Sequence, residues 1–198
     1  MIVWYLARGA GIAAFATLSL ATAAGAVTSR RQADFGRRVV LQYVHRAAAL
    51  AGVSLLALHV GTVLADSYAR VGVRGAVLPF GSAYRPAAVT LGLLSMYLLV
   101  GVAVTGMLRS SFASSAAAAR LWRRFHLCAY AAWAMSAWHF LLVGTDSGRW
   151  WARAVLVAGI LVVGAGVTAR LADRSLITTR RLAPTATTAT TTSVGAPR

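Results

Sequence analysis

The chain has 198 residues, 59% of them apolar and 12% charged, with a mean hydropathy of +0.68. Several apolar runs of about twenty residues exclude an ordinary soluble globule and indicate a polytopic membrane protein, an all-α helical bundle forming one domain. The net charge of +16 is carried by arginine alone. Because the arginines sit between apolar runs, they speak for membrane topology and anionic headgroups and not for nucleic acid.

In chain order, a first helix is predicted over residues 9–28, a run without a charge that follows Arg8. Its Ala-Thr-Ala-Ala-Gly-Ala stretch has the small residues of a signal-peptide cleavage site. Cleavage there would leave Arg30, Arg31, Arg37 and Arg38 outside, so the segment is read as a retained span. A second span is predicted over about 39–65. The connection 66–86, the longest outer loop, contains Pro79-Phe80-Gly81 and Tyr84-Arg85-Pro86, which read as turns. Further spans are predicted over 87–108, about 121–143 and 150–169, making about five. Residues 1–172 form the membrane domain. Residues 173–198, rich in Arg, Thr and Ala with Pro184 and Pro197, are expected to be a disordered cytoplasmic tail.

Arginine placement orients the bundle. With the N-terminus outside, thirteen arginines fall on the inner side: Arg30, Arg31, Arg37 and Arg38, then Arg109, Arg120, Arg123 and Arg124, then Arg170, Arg174, Arg180, Arg181 and Arg198. Six fall outside: Arg8, Arg70, Arg74, Arg85, Arg149 and Arg153. The bias gives N-out, C-in. Trp4, Tyr5, Trp150 and Trp151 then make an outer aromatic belt, with Trp122 and Phe125 on the inner side.

All four histidines lie in two of the spans, His45 and His59 in the second, His126 and His139 in the fourth. Each pair is separated along its axis by roughly 20 Å at ~1.5 Å per residue. Ionisable side chains inside a membrane point to function, although a lone histidine also serves to hydrogen-bond a neighbouring helix. Neutral imidazole is a preferred axial ligand of haem iron, and a haem between two helices takes one from each. The second and fourth spans are parallel, so His45 pairs in depth with His126 near the inner surface and His59 with His139 near the outer one. At ~100° per residue His59 returns to within ~40° of His45, whereas His139 lies ~140° from His126 unless underwinding, a bend or a π-bulge intervenes. One cysteine, Cys128, leaves no intramolecular disulfide, no Cys-x-x-Cys-His attachment and no iron–sulfur cluster, so any haem is held non-covalently as haem b. No dinucleotide- or ATP-binding glycine motif occurs.

Other residues carry open alternatives. Arg46, beside His45, either pairs with a haem propionate or snorkels to the inner headgroups. Asp66 and Asp146, just beyond the outer histidines, either bind a cationic acceptor or cap and pair with loop arginines. The outer arginines either attract an anionic acceptor or form a solvated rim. Tyr130, Trp133 and Trp138 lie between the histidine levels, as electron path or as packing.

His-x13-His on one helix and His-x12-His on a later parallel one resembles the ferric reductase-like transmembrane domain superfamily. Arg120-Leu-Trp122-Arg-Arg-Phe-His126, Tyr130 and His139-Phe140 look like that family's helix carrying the second pair. Trp4-Tyr5-Leu6-Ala7-Arg8-Gly9, Ser82-Ala83-Tyr84-Arg85-Pro86 and Gly144-Thr145-Asp146 look like a short bacterial branch, and the resemblance covers roughly residues 3 to 172. It implies a multi-pass protein of the cell membrane moving electrons through two haems b, ligated by His45 with His126 and His59 with His139. Donor would be a cytoplasmic-side or quinol reductant, and the acceptor lies on the outer face. Larger members carry flavin and NADPH domains that are not found here, which implies a separate flavin reductase or redox partner. The alternatives are a stand-alone membrane oxidoreductase acting on ferric chelates, quinols or oxygen species, and a cofactor-free transport or assembly protein.

Overall fold

The computed structural model describes residues 2–28, 34–66 and 71–182. Arg30, Arg31, Arg70 and residues 183–198 of the expected tail lie outside the described residues. The elements, in order, are α1 (Ile2–Thr28), α2 (Phe35–Ala65), α3 (Gly72–Val77), α4 (Pro86–Met107), a 3-10 segment (Leu108–Ser114), α5 (Ala116–His126), α6 (Cys128–Val143) and α7 (Trp150–Leu182). No strand occurs among the described residues. Four helical stretches are long and apolar enough to cross a membrane: Ile2–Thr28, Phe35–Ala65, Pro86–Phe112 and Trp150–Asp173. The protein is therefore a helical, multi-pass membrane protein.

Three expectations change. The predicted span over 121–143 is not one helix but two, α5 of 11 residues and α6 of 16, parted at Leu127. There the Leu127 N–H is shared between the carbonyls of Arg123 (3.3 Å) and Arg124 (3.2 Å), and the Tyr130 N–H reaches back only three residues, to Leu127 (3.1 Å). Such three-residue bonds overwind the chain, by ~20° for each residue at 3-10 pitch. That is opposite to the underwinding expected, and it is the sense that brings His139 back toward the azimuth of His126. Second, the 66–86 connection is not all loop: Gly72 at φ +64 opens the short α3. Third, α7 runs to Leu182, so residues 173–182 of the expected disordered tail are helical. Leu176, Leu182 and the three arginines of that stretch favour helix, and the first breaker after it is Pro184, which disfavours helical backbone at the preceding residue.

α1 is the hub. It is alanine-rich, burying Ala7, Ala10, Ala14, Phe15, Ala21, Ala23, Ala24 and Ala26, and it packs on α2 and α7. Small residues allow the close approach that membrane helices use in place of a hydrophobic drive. A Cβ at Gly52 of α2 would stand 2.6 Å from Leu18, one at Gly159 of α7 2.8 Å from Phe15, and one at Gly166 3.0 Å from the Ala23 backbone. α4 packs on α6, where the buried Ser95 hydroxyl donates to the Ala132 carbonyl at 2.7 Å. Two hairpin-like pairs result, α1–α2 and α4–α6. Between them Trp133 Nε1 donates to Ser19 Oγ at 2.8 Å while its ring stacks on Phe15.

The outer connections are tied down. Pro86 occupies the first turn of α4, preceded by Arg85 at φ 40, whose guanidinium donates to the Leu142 carbonyl at the end of α6. The Phe80 N–H donates to Thr90 Oγ1 at 2.8 Å, and the Tyr97 hydroxyl donates to the Val77 carbonyl. Asp146, expected to pair with loop arginines, instead forms an ion pair with Arg8 of α1, whose guanidinium lies 4.0 Å from the Trp4 ring centroid.

Candidate functional site

The four histidines converge between the two hairpins in two tiers. In the inner tier the rings of His45 and His126 have centroids 6.2 Å apart, at 69° to one another. Two metal–imidazole bonds of about 2 Å, with the ring radii added, span a similar distance. In the outer tier His59 and His139 line one cavity of about 310 Å³, together with Phe15, Leu93, Trp133 and Phe140. That volume is at the lower end of the roughly 300–1,000 Å³ typical of small-molecule sites, and the lining is largely apolar.

Three of the imidazoles are held the same way. His45 Nδ1 lies 2.7 Å from the Ala21 carbonyl, His59 Nδ1 2.7 Å from the Ala7 carbonyl, and His139 Nδ1 2.8 Å from the Ala88 carbonyl. A carbonyl oxygen only accepts, so Nδ1 carries the proton and Nε2 keeps its lone pair. This is the tautomer of a metal-ligating histidine whose other nitrogen is fixed by an outer partner. Each accepting carbonyl already serves its own helix and takes the imidazole on its second lone pair.

Glycine makes the approach possible. Four residues after each anchor stands a glycine on the same helix face: Gly11 after Ala7, Gly25 after Ala21, Gly92 after Ala88. A Cβ would come within 2.8 Å of the His59 ring at Gly11, 3.0 Å of the His45 ring at Gly25 and 2.6 Å of the His139 ring at Gly92. The two anchors on α1 are fourteen residues apart, as are the two histidines on α2. These glycines and anchors are absent from the sequence reading. A carbonyl leaves no trace in a sequence, but the interval Gly11 to Gly25, equal to His45 to His59, was there to be matched.

His126 is held differently. Its ring stacks against Trp122 of the preceding turn (centroids 5.0 Å, 23°), and Trp122 Nε1 donates to the Thr105 carbonyl at 3.0 Å. His126 Nδ1 is buried and has no hydrogen-bond partner.

Of the remaining predicted residues, Arg46 is exposed on α2 beside His45, with no polar partner among the described residues. Asp66 ends α2 and lines the outer cavity with His59. Tyr130 accepts a hydrogen bond from Arg170 of α7 at 3.1 Å, and Trp138 is 60% exposed, so of the three aromatics only Trp133 borders the cavity. Among the described residues no group of three or more His, Cys, Asp or Glu could enclose a bare metal ion. Paired imidazoles are the residues that would hold the iron of a haem, so the residues present fit that group.

A second cleft of about 830 Å³ adjoins the outer cavity and shares Trp4, Arg8, Ile12, Thr145 and Asp146 with it. Arg149 and Trp151 complete its polar end. The chain matches no model of a known protein family, no curated protein and no solved structure.

Proposed function

We propose that the chain is the haem-bearing component of a membrane oxidoreductase of the ferric reductase-like kind, a transmembrane electron carrier in the cell membrane. The observation that carries this reading is the tautomer lock: three intramembrane imidazoles, at two depths, have Nδ1 tied to a helix carbonyl and Nε2 left free to ligate. Histidines that merely bridged helices could make the same bond, but would need no second imidazole at matched depth. His45 and His126 would hold the inner haem b, His59 and His139 the outer. When bound, these groups supply one-electron redox chemistry at two levels of the bilayer. The protein's contribution is to fix the imidazole orientation, to line the outer level with apolar side chains and to leave Arg46 free to reach headgroups or a propionate.

Purified protein should therefore show the visible spectrum of low-spin haem b, with about two irons per chain. A colourless, iron-free preparation that is folded and helical would sink the reading and leave a cofactor-free membrane protein.

Topology follows from charge. In this reading α5 and α6 together make the fourth of five crossings as one overwound span, and the N-terminus is outside. Reporter fusions after Gly36 and Ala118 should read cytoplasmic, and one after Val77 external. A cytoplasmic Val77 fusion inverts the bundle and exchanges the inner and outer tiers.

Hydride oxidation needs a flavin and a nicotinamide site, each of which takes a substantial folded domain. The connections between these helices are too short to hold one. NADH or NADPH alone should leave the purified protein oxidised, and reduction should require a flavin reductase, a reduced flavin or a quinol. Rapid reduction by NADPH in a preparation free of flavin and other proteins would refute dependence on a partner.

The cleft beside the outer cavity favours one variant, a membrane oxidoreductase acting on its own substrate. Its mouth has the Arg8–Asp146 pair and Arg149 beside Trp4 and Trp151, and its wall is shared with the outer histidine level. Turnover of an artificial electron acceptor by the isolated, chemically reduced protein would separate this variant from a pure conduit.

A further inference from the structure

α4 carries the anchor pattern twice. Fourteen residues beyond Ala88 and Gly92 stand Val102 and Gly106, so α4 repeats the interval by which Ala7 and Gly11 relate to Ala21 and Gly25 on α1. The antiparallel register that sets Ala88 against His139 sets Val102 against the neighbourhood of His126. His126 does lie over this place, since the atom nearest a Cβ at Gly106 is its Cε1. Yet that distance is 3.8 Å, against 2.6 to 3.0 Å at the other three glycines. The ring stands about an ångström further out, its Nδ1 is buried without a partner, and the helix carrying it ends one residue before the overwound turn at Leu127.

We infer that the Val102 carbonyl, which shares the Thr105 hydroxyl (3.1 Å) with the nearer Gly101 carbonyl (2.9 Å), is the fourth anchor, and that His126 displaces that hydroxyl from it only when the inner haem binds. This rests on the function proposed above. The inner tier is thus the incomplete one: His45 is locked in advance, whereas His126 must move in over Gly106 to gain its partner. The outer tier, with both imidazoles already locked, fills first. Val102 acts through its backbone and is a positioning residue. Gly106 is the residue whose size decides whether the imidazole can arrive.

The experiment uses the Gly106→Ala variant of the full chain, purified without haem and titrated with haemin in detergent. In the structure as it stands, a Cβ there would make only an ordinary van der Waals contact, so a purely structural role predicts no effect. The inference predicts unchanged helicity and melting of the haem-free protein, unchanged binding of a first haem, and second-haem affinity weakened about 10- to 100-fold, the range seen when an orienting partner of a ligating histidine is lost. Nitrogen-15 histidine spectra give a second readout. Three imidazoles should be locked with Nδ1 protonated before haem is added and four afterwards, the fourth signal missing in Gly106→Ala. A wild-type protein that takes up no haem fails the functional reading and this inference with it. Two haems bound with equal affinity by wild type and Gly106→Ala, or a locked His126 before loading, leaves the functional reading standing and overturns the fourth anchor.

Discussion

Replacing His59 or His139 with alanine should remove one and the same haem of the two proposed, and replacing His45 or His126 should remove the other. Each substitution should bring the iron content from about two per chain to about one, because an axial imidazole cannot be replaced by a methyl group. The pairing follows from the tiers: His45 and His126 face each other at 6.2 Å, and His59 and His139 share one cavity. Redox titration of the α-band identifies which haem remains, since the two sites differ in burial and in anchoring and should differ in potential. Loss of a common haem by His45→Ala and His139→Ala would show that the tiers are crossed.

Nearly as large an effect is expected from adding a single methyl group at Gly11 or Gly92. In Gly92→Ala the new Cβ would lie 2.6 Å from Cε1 and Nδ1 of His139, and in Gly11→Ala 2.8 Å from Nδ1 of His59. Carbon atoms in contact prefer about 3.5–4.0 Å, so the imidazole must retreat by about an ångström and give up its bond to the carbonyl. Crowding of this kind costs about 1–3 kcal/mol, and loss of the outer partner about 10- to 100-fold in affinity. The outer haem should therefore be depleted while the inner one stays. Gly61→Ala and Gly9→Ala, where nothing lies within 4 Å, serve as controls and should keep both haems. If Gly92→Ala retains the outer haem at wild-type affinity, the His139–Ala88 bond is dispensable and the carbonyl lock has no role in ligation.

Much of this was legible in the residues. Charge-free runs of about twenty residues announced the helices, and four histidines in two apolar segments announced the tiers, because both signals are written in side chains. The break at Leu127 was not legible. Leu, Cys, Ala and the aromatic residues around it are ordinary helix residues, and the overwinding lies in a choice of hydrogen-bond partner that no residue type dictates. Nor was α3, whose Gly-Val-Arg-Gly-Ala-Val composition looks like loop and which rests on packing against α2 and α4. The helical extension of α7 past 172 is not legible in polarity, which points to disorder; the distance to the next proline, Pro184, is the better guide.

Three of the four imidazoles are oriented by main chain and not by side chains, and this bears on how such a protein can drift in evolution. At Ala7, Ala21 and Ala88 the carbonyl survives any substitution that keeps the helix and the clearance, so these positions are free to vary without disturbing the tautomer. Constraint falls on two other things: the absence of a side chain at Gly11, Gly25 and Gly92, and the count of residues between tiers. One residue inserted between Gly11 and Gly25 would swing one carbonyl about 100° away from its histidine. Descendants of this chain should therefore be traceable by glycines at a fixed interval on one helix and histidines at a similar interval on the next, even where little else in the sequence persists.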